Sequence, residues 1–131
     1  MTADLKHVLC IDDEEDILEV AGMSLEAVGG LQVSRANNGA EGIACAKSVH
    51  PDMILLDVMM PGMDGPETLK KIKQDDALKG IPVVFMTARV QPEEVKKYLS
   101  YGAIAVIEKP FDPMTLAGKV QQAWKESHGP E

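Results

Sequence analysis

Short, nearly continuous apolar runs alternate along the chain with longer stretches whose apolar positions recur every three or four residues. His7 to Ile11, Leu31 to Arg35, Met53 to Leu56, Pro82 to Met86 and Ala103 to Ile107 read as five strands. Three of these runs are almost wholly apolar, which predicts parallel strands covered on both faces. Between them lie helices. Ile17, Leu18, Ala21, Leu25 and Val28 set the apolar face of the first, which Gly29 and Gly30 end. The second is predicted from Gly39 to Ser48, with Ala40, Ile43, Ala44 and Lys47 in phase, Asn38 as N-cap and His50-Pro51 closing it.

The later helices are marked by punctuation as much as by apolar spacing. Asp64-Gly65-Pro66-Glu67 opens one that continues through Leu69 and Ile72, with Pro66 near the first helical position, where its missing N–H costs nothing. Gln91-Pro92-Glu93-Glu94 repeats the device ahead of Val95 and Leu99. The last helix follows Asp112-Pro113 and carries Leu116, Val120, Ala123 and Trp124. Trp124 is read as a packing residue covering the sheet edge, with a partner-binding anchor as the alternative. His128 to Glu131 reads as a frayed tail.

Five strand–helix units of this length predict an α/β fold: a doubly wound, three-layer domain with a five-stranded parallel sheet in the flavodoxin-like order 2-1-3-4-5 and right-handed crossovers. In such sheets, sites form beyond the C-terminal strand ends, where the strand order reverses. That point lies between the first and third strands.

Composition narrows the classes. At 131 residues and 45% hydrophobic, the chain is expected to be one domain over 1–131, with its core at about 5–127. A formal charge of -8, from 13 Lys plus Arg against 21 Asp plus Glu, disfavours nonspecific attraction to nucleic acid or anionic lipid. Met1 to Lys6 lacks the pattern of a signal peptide and no apolar stretch approaches membrane-spanning length, so a cytoplasmic location without membrane insertion is expected. Cys10 and Cys45 sit in apolar patterns and read as small core side chains.

Asp12 and Asp13 follow the first strand and Asp57 follows the third, so three carboxylates are predicted to converge on one crevice. Like charges sharing a small space favour a cation, and carboxylate, carbonyl and water oxygens are the ligand set of Mg²⁺. The competing reading is that Asp12 and Asp13 only cap the first helix. Thr87 and Lys109 lie just past the fourth and fifth strands. They would supply a hydroxyl donor and a fixed positive charge to a phosphorylated carboxylate. A cis Lys109-Pro110 bond is one way of holding the lysine inward.

Four segments carry a resemblance: Ile11-Asp12-Asp13-Glu14, Leu55-Leu56-Asp57-Val58-Met59-Met60-Pro61-Gly62-Met63-Asp64-Gly65, Met86-Thr87-Ala88 and Glu108-Lys109-Pro110-Phe111. In this order and spacing, the chain resembles the receiver domain of two-component response regulators over about residues 5 to 127. The resemblance implies that Asp57 is the phosphoacceptor. Asp13 and Asp57 would be side-chain ligands of Mg²⁺, Asp12 a ligand mainly through water, and Met59 a ligand through its backbone carbonyl. Thr87 would hydrogen-bond a phosphoryl oxygen, and Lys109 would pair first with Asp57 and then with the phosphoryl group. Met59 and Arg89 occupy positions that flank the phosphoryl group and affect water access.

One position departs from the family pattern. Where the family commonly carries Tyr or Phe three residues before the lysine, this chain has Val106. Val is stiff about χ1 and has no ring to swing. Acceptance of the phosphoryl group is therefore expected to be intact, while its transmission follows another route.

The resulting expectation is a stand-alone phosphoacceptor switch, not a conventional enzyme. Its partners would be a histidine kinase or histidine phosphotransfer protein, docking near the first helix, and a downstream protein target. A monomer or weak dimer is expected. Alternatives are a receiver from a longer hybrid kinase or multidomain regulator, a magnesium-dependent aspartyl-phosphate phosphatase, a phosphorylation-independent adaptor and a flavin-binding domain of the same strand order. A phosphatase needs a substrate-recognition cap and a leaving-group acid, neither of which is legible, and the acidic cluster would repel a flavin phosphate.

Overall fold

A computed structural model describes residues 4–128, so the predicted tail beyond His128 lies outside the described residues. The elements alternate without exception: β1 (His7–Ile11), α1 (Glu15–Ala27), β2 (Gln32–Ala36), α2 (Gly39–Val49), β3 (Met53–Asp57), α3 (Gly65–Gln74), β4 (Val83–Thr87), α4 (Pro92–Ser100), β5 (Ala105–Glu108) and α5 (Leu116–Ser127). The strands form one sheet in the order β2-β1-β3-β4-β5, and every neighbouring pair is parallel, as the pattern predicts.

Strand alternation divides the core into two layers. Val8, Cys10, Met53, Leu55, Val84, Met86 and Ile107 face the side packed by α1 and α5, where Trp124 is also buried. Leu9, Ile11, Ile54, Leu56, Val83 and Phe85 face the side packed by α2, α3 and α4. Both faces of the sheet are covered, so β3 and β4 are buried at every position. Several strand ends fall one residue later than predicted, so Asp57 and Thr87 are the last residues of β3 and β4.

Most of the predicted helix signals perform as read. Asn38 Oδ1 accepts from the Glu41 N–H at 2.8 Å, and Asp64 Oδ1 accepts from the Glu67 N–H at 2.9 Å. Pro66 and Pro92 sit in the first turns of α3 and α4. His50 caps α2 in the left-handed region, at φ 49°.

Three apolar faces differ from the spacing. α2 buries Gly39, Gly42 and Ala46 and leaves Ala40, Ala44 and Lys47 exposed. The reason is close approach: a Cβ on Gly42 would lie 2.3 Å from Ile11 Cδ1. α4 buries Tyr98, while Leu99 is exposed and Val95 only half-buried. In α1 the face ends at Leu25, and Val28, the C-cap, is exposed. α5 also begins later than expected, at Leu116, because Asp112 organises a turn first. Its Oδ1 accepts from the Met114 N–H at 2.8 Å and its carbonyl from the Thr115 and Leu116 N–H groups at 3.0 Å.

Candidate functional site

The site lies at the C-terminal edge of the sheet, centred on the ends of β1 and β3 and completed by the residue after β5. Register aligns Ile11 with Leu56 and Asp57 with Met86, so the segments carrying Asp12, Asp13, Asp57 and Thr87 end at one level. By the same alternation, Asp12, Asp57 and Lys109 continue the side of Cys10, Leu55 and Ile107, whereas Thr87 continues the side of Phe85.

One carboxylate oxygen from each of Asp12, Asp13 and Asp57 lies within 4.8 Å of the other two. Asp57 is 2% exposed and Asp12 is equally buried. Lys109 Nζ donates to Asp57 Oδ1 at 3.0 Å and sits 3.0 Å from Asp12 Oδ2 as an ion pair without hydrogen-bond geometry. The side chain of Lys109 is 14% exposed, so its charge works in a partly desolvated setting. The Lys109-Pro110 bond is cis, the form raised from the sequence.

Asp12 has a second task. Its Oδ1 accepts from the Glu14 N–H at 2.9 Å, ahead of α1. This bond fixes the turn before the helix and does not cap it: the N-cap is Glu14, with no side-chain cap hydrogen bond, so the reading of Asp12 and Asp13 as caps of the first helix does not hold.

Burial pushes the Asp57 carboxyl up from the ordinary 3.8 to about 6, with the Asp12 and Asp13 charges acting in the same direction and Lys109 opposing them. For Lys109, burial lowers the pKa, but pairing with Asp12 and Asp57 outweighs it and leaves the ammonium above its usual value. One cation thus faces three carboxylates. Three buried oxygens, Asp12 Oδ2, Asp13 Oδ1 and Asp57 Oδ2, have no hydrogen-bond partner, and of these Asp12 Oδ2 is ion-paired with Lys109. Buried carboxylate oxygens without partners are costly. A hard divalent cation fits this donor set, and Mg²⁺ in particular keeps waters and needs few protein ligands.

Thr87 is buried at the end of β4, where its Oγ1 accepts from the Arg89 N–H at 3.0 Å and its carbonyl accepts from the Lys109 N–H at 2.9 Å. Met59 contributes no side chain to the cluster, since it is 66% exposed. Arg89 is exposed and lies 4.0 Å from Glu94. Two participants escaped the sequence reading. Glu14 Oε1 stands 3.8 Å from Lys109 Nζ, although the sequence assigned it no role of its own. A Cβ on Gly65 would lie 2.5 Å from the Asp57 carbonyl oxygen, so glycine there lets α3 start against the end of β3.

Comparison with known proteins agrees with this geometry. The response regulator receiver domain profile matches residues 8–121, and the chain belongs to that family. The phosphate regulon transcriptional regulatory protein PhoB of Pseudomonas aeruginosa is 34% identical over 116 residues, covering 88% of this chain and 50% of that protein. The chain thus spans about half the length of several curated relatives it matches. Among solved structures, chemotaxis protein CheY4 of Vibrio cholerae has a TM-score of 0.84 at 31% identity, covering 91% of this chain and 98% of that one. The receiver domain of a signal transduction histidine kinase from Syntrophus aciditrophicus has a TM-score of 0.80 at 30% identity, covering 96% and 95%.

Receiver domains of this family act as phosphoacceptor switches and not as conventional enzymes. The Asp12, Asp13 and Asp57 cluster is consistent with both a phosphoacceptor and a metal site. No helix among the described residues is long and apolar enough to cross a membrane.

Proposed function

We propose that this chain accepts a phosphoryl group on Asp57, with Mg²⁺, from the phosphohistidine of a histidine kinase or phosphotransfer protein, and signals through protein contact. The observation that carries this reading is a buried Asp57 held by one lysine beside carboxylate oxygens that lack a hydrogen-bond partner. Asp13 and Asp57 would supply side-chain oxygens to the ion, with Asp12 acting mainly through water and the Met59 carbonyl as a further ligand. Bound there, Mg²⁺ would offset charge on the phosphoryl oxygens during transfer.

The chain's own groups divide the remaining work. An Asp57 oxygen attacks phosphorus in line, forming an O–P bond as the P–N bond breaks and its electron pair returns to the donor imidazole. Lys109, already 3.0 Å from Asp57 Oδ1, is placed to follow the charge onto a phosphoryl oxygen. The Thr87 oxygen accepts from the Arg89 N–H, which leaves its own proton free for a new acceptor. The product adds about -1.5 to -2 charge, which draws Thr87 and the loop after β4 toward the site. Hydrolysis resets the switch: water bonds to phosphorus, the bond to Asp57 breaks, and the carboxylate is restored.

Exposed Val20 and Met23 on α1 and Val28 at its C-cap support kinase docking on that helix. A second reading, a receiver within a longer regulator or hybrid kinase, is favoured by the partial coverage of the curated relatives. Phosphotransfer profiling against purified histidine kinases, with Mg²⁺ withheld in one arm, tests the proposal. It expects magnesium-dependent labelling by at least one kinase, lost in Asp57→Asn; undiminished labelling of that variant would sink the assignment.

A further inference from the structure

The helices differ in how firmly they hold the sheet. α1 and α5 each bury five residues and α3 buries four, but α4 buries only Tyr98. That makes α4 the helix with the weakest hold, and Tyr98 its principal anchor. Elements that move in switching come from such lightly packed segments.

Tyr98 is not anchored at random. Its ring meets Phe85 edge-on, with centroids 5.4 Å apart and planes at 65°. Phe85 is fully buried and lies two residues before Thr87, on the same face of β4. Its register partner on β5 is Val106, which packs half-buried against the same cluster. In the neighbourhood where the family pattern places an aromatic on β5, the available ring therefore arrives from α4.

The connection between the two ends is short. Thr87 ends β4, α4 begins at Pro92, and the Thr87 oxygen already holds the Arg89 N–H of the intervening loop at 3.0 Å. The loop and the Phe85–Tyr98 contact are thus the two connections from β4 to α4. Packed cores have discrete arrangements and do not deform continuously, so an edge-to-face pair is suited to re-seating as a unit.

We infer that Tyr98 is the coupling residue of the switch: its seating against Phe85 carries the state of Thr87 to α4, the role that Val106 lacks the ring to perform. The inference rests on the proposed phosphoacceptor reading and specifies how that site is read out. A Tyr98 that merely fills the core would keep its seating in both states.

The test uses the full chain labelled with 3-fluorotyrosine. Tyr98 and Tyr101 are its two tyrosines, and Tyr101→Phe leaves a single signal. Beryllofluoride with Mg²⁺ serves as the acyl-phosphate mimic, hydrogen exchange follows the α4 amides, and acetyl phosphate labelling follows Asp57. The expected result is a shifted Tyr98 fluorine resonance with the mimic, and a change of about tenfold in α4 exchange, within the range usual for coupled sites. Tyr98→Leu should keep Asp57 labelling within about twofold while cutting the α4 response at least about fivefold, and Tyr98→Phe, which keeps the ring, should restore it.

A Tyr98 resonance unmoved by the mimic while Asp57 accepts label overturns the inference, as does a full α4 response in folded Tyr98→Leu. The fluorine signal decides the matter even if the leucine variant does not fold. Absence of Asp57 labelling in the unmodified chain would instead overturn the phosphoacceptor reading, and the inference with it.

Discussion

Replacing Asp57 by Asn removes a charge from the centre of the site at almost constant shape. In the metal-free protein, burial and the Asp12 and Asp13 charges outweigh Lys109 and raise the Asp57 carboxyl from 3.8 to about 6. Protonation therefore favours the folded state. The stability held by neutral Asp57 is fully present below the unfolded value of 3.8 and is lost as pH rises through about 6. Above that, the shift sets a ceiling of about 3 kcal/mol on the destabilisation. Asp13 is only half-buried and Lys109 is 14% exposed, so solvent screens these charges and the realised figure is about 1–2 kcal/mol. Asn cannot ionise, so Asp57→Asn should be more stable than the unmodified protein by that amount at pH 8 in EDTA, a rise in Tm of roughly 5 °C. The advantage should vanish near pH 4. Urea denaturation across this pH range, with thermal melts alongside, is the assay. A variant less stable than the parent at pH 8, or an advantage independent of pH, would refute the electrostatic reasoning.

Three further outcomes follow from the same geometry. Mg²⁺ at ten times its dissociation constant should stabilise the unmodified protein by about 1.4 kcal/mol, read as a rise in Tm that EDTA reverses and that Asp13→Asn abolishes. Lys109→Met leaves Asp12 and Asp57 buried without their shared cation. It should cost about 3 kcal/mol in urea denaturation at pH 8, and less below pH 6, where Asp57 takes up a proton instead. Gly65→Ala puts a Cβ 2.5 Å from the Asp57 carbonyl oxygen and 2.7 Å from Val58 Cα, both backbone atoms. The shift this forces should cost about 1–3 kcal/mol in thermal melts and slow phosphoryl acceptance.

The parts of the fold that were legible in the sequence are those whose burial matches side-chain hydrophobicity. β3 and β4 are buried on both faces, so each appears as a nearly unbroken apolar run. The site followed from them, because topology brings Asp12, Asp13 and Asp57 to one strand-order reversal. What escaped depends on shape and contact. α2 packs through Gly39 and Gly42, whose value lies in having no side chain, and an apolar periodicity does not register it. On α4, Val95 and Leu99 have ideal spacing for a buried face, yet Tyr98 takes the place because Phe85 offers its ring an edge-to-face partner. Glu14 gains its role from the inward reach of Lys109, a feature set 95 residues further along the chain.

Asp57 as phosphoacceptor is the claim on which the remainder depends, and chemical trapping tests it most directly. The chain is phosphorylated with Mg²⁺ and a donor, reduced with borohydride, which converts an acyl phosphate to an alcohol, and mapped by mass spectrometry. The account expects homoserine at position 57, dependent on both the donor and Mg²⁺. Homoserine at another aspartate, or a phosphoryl group on a Ser, Thr or His with Asp57 unmodified, would contradict it.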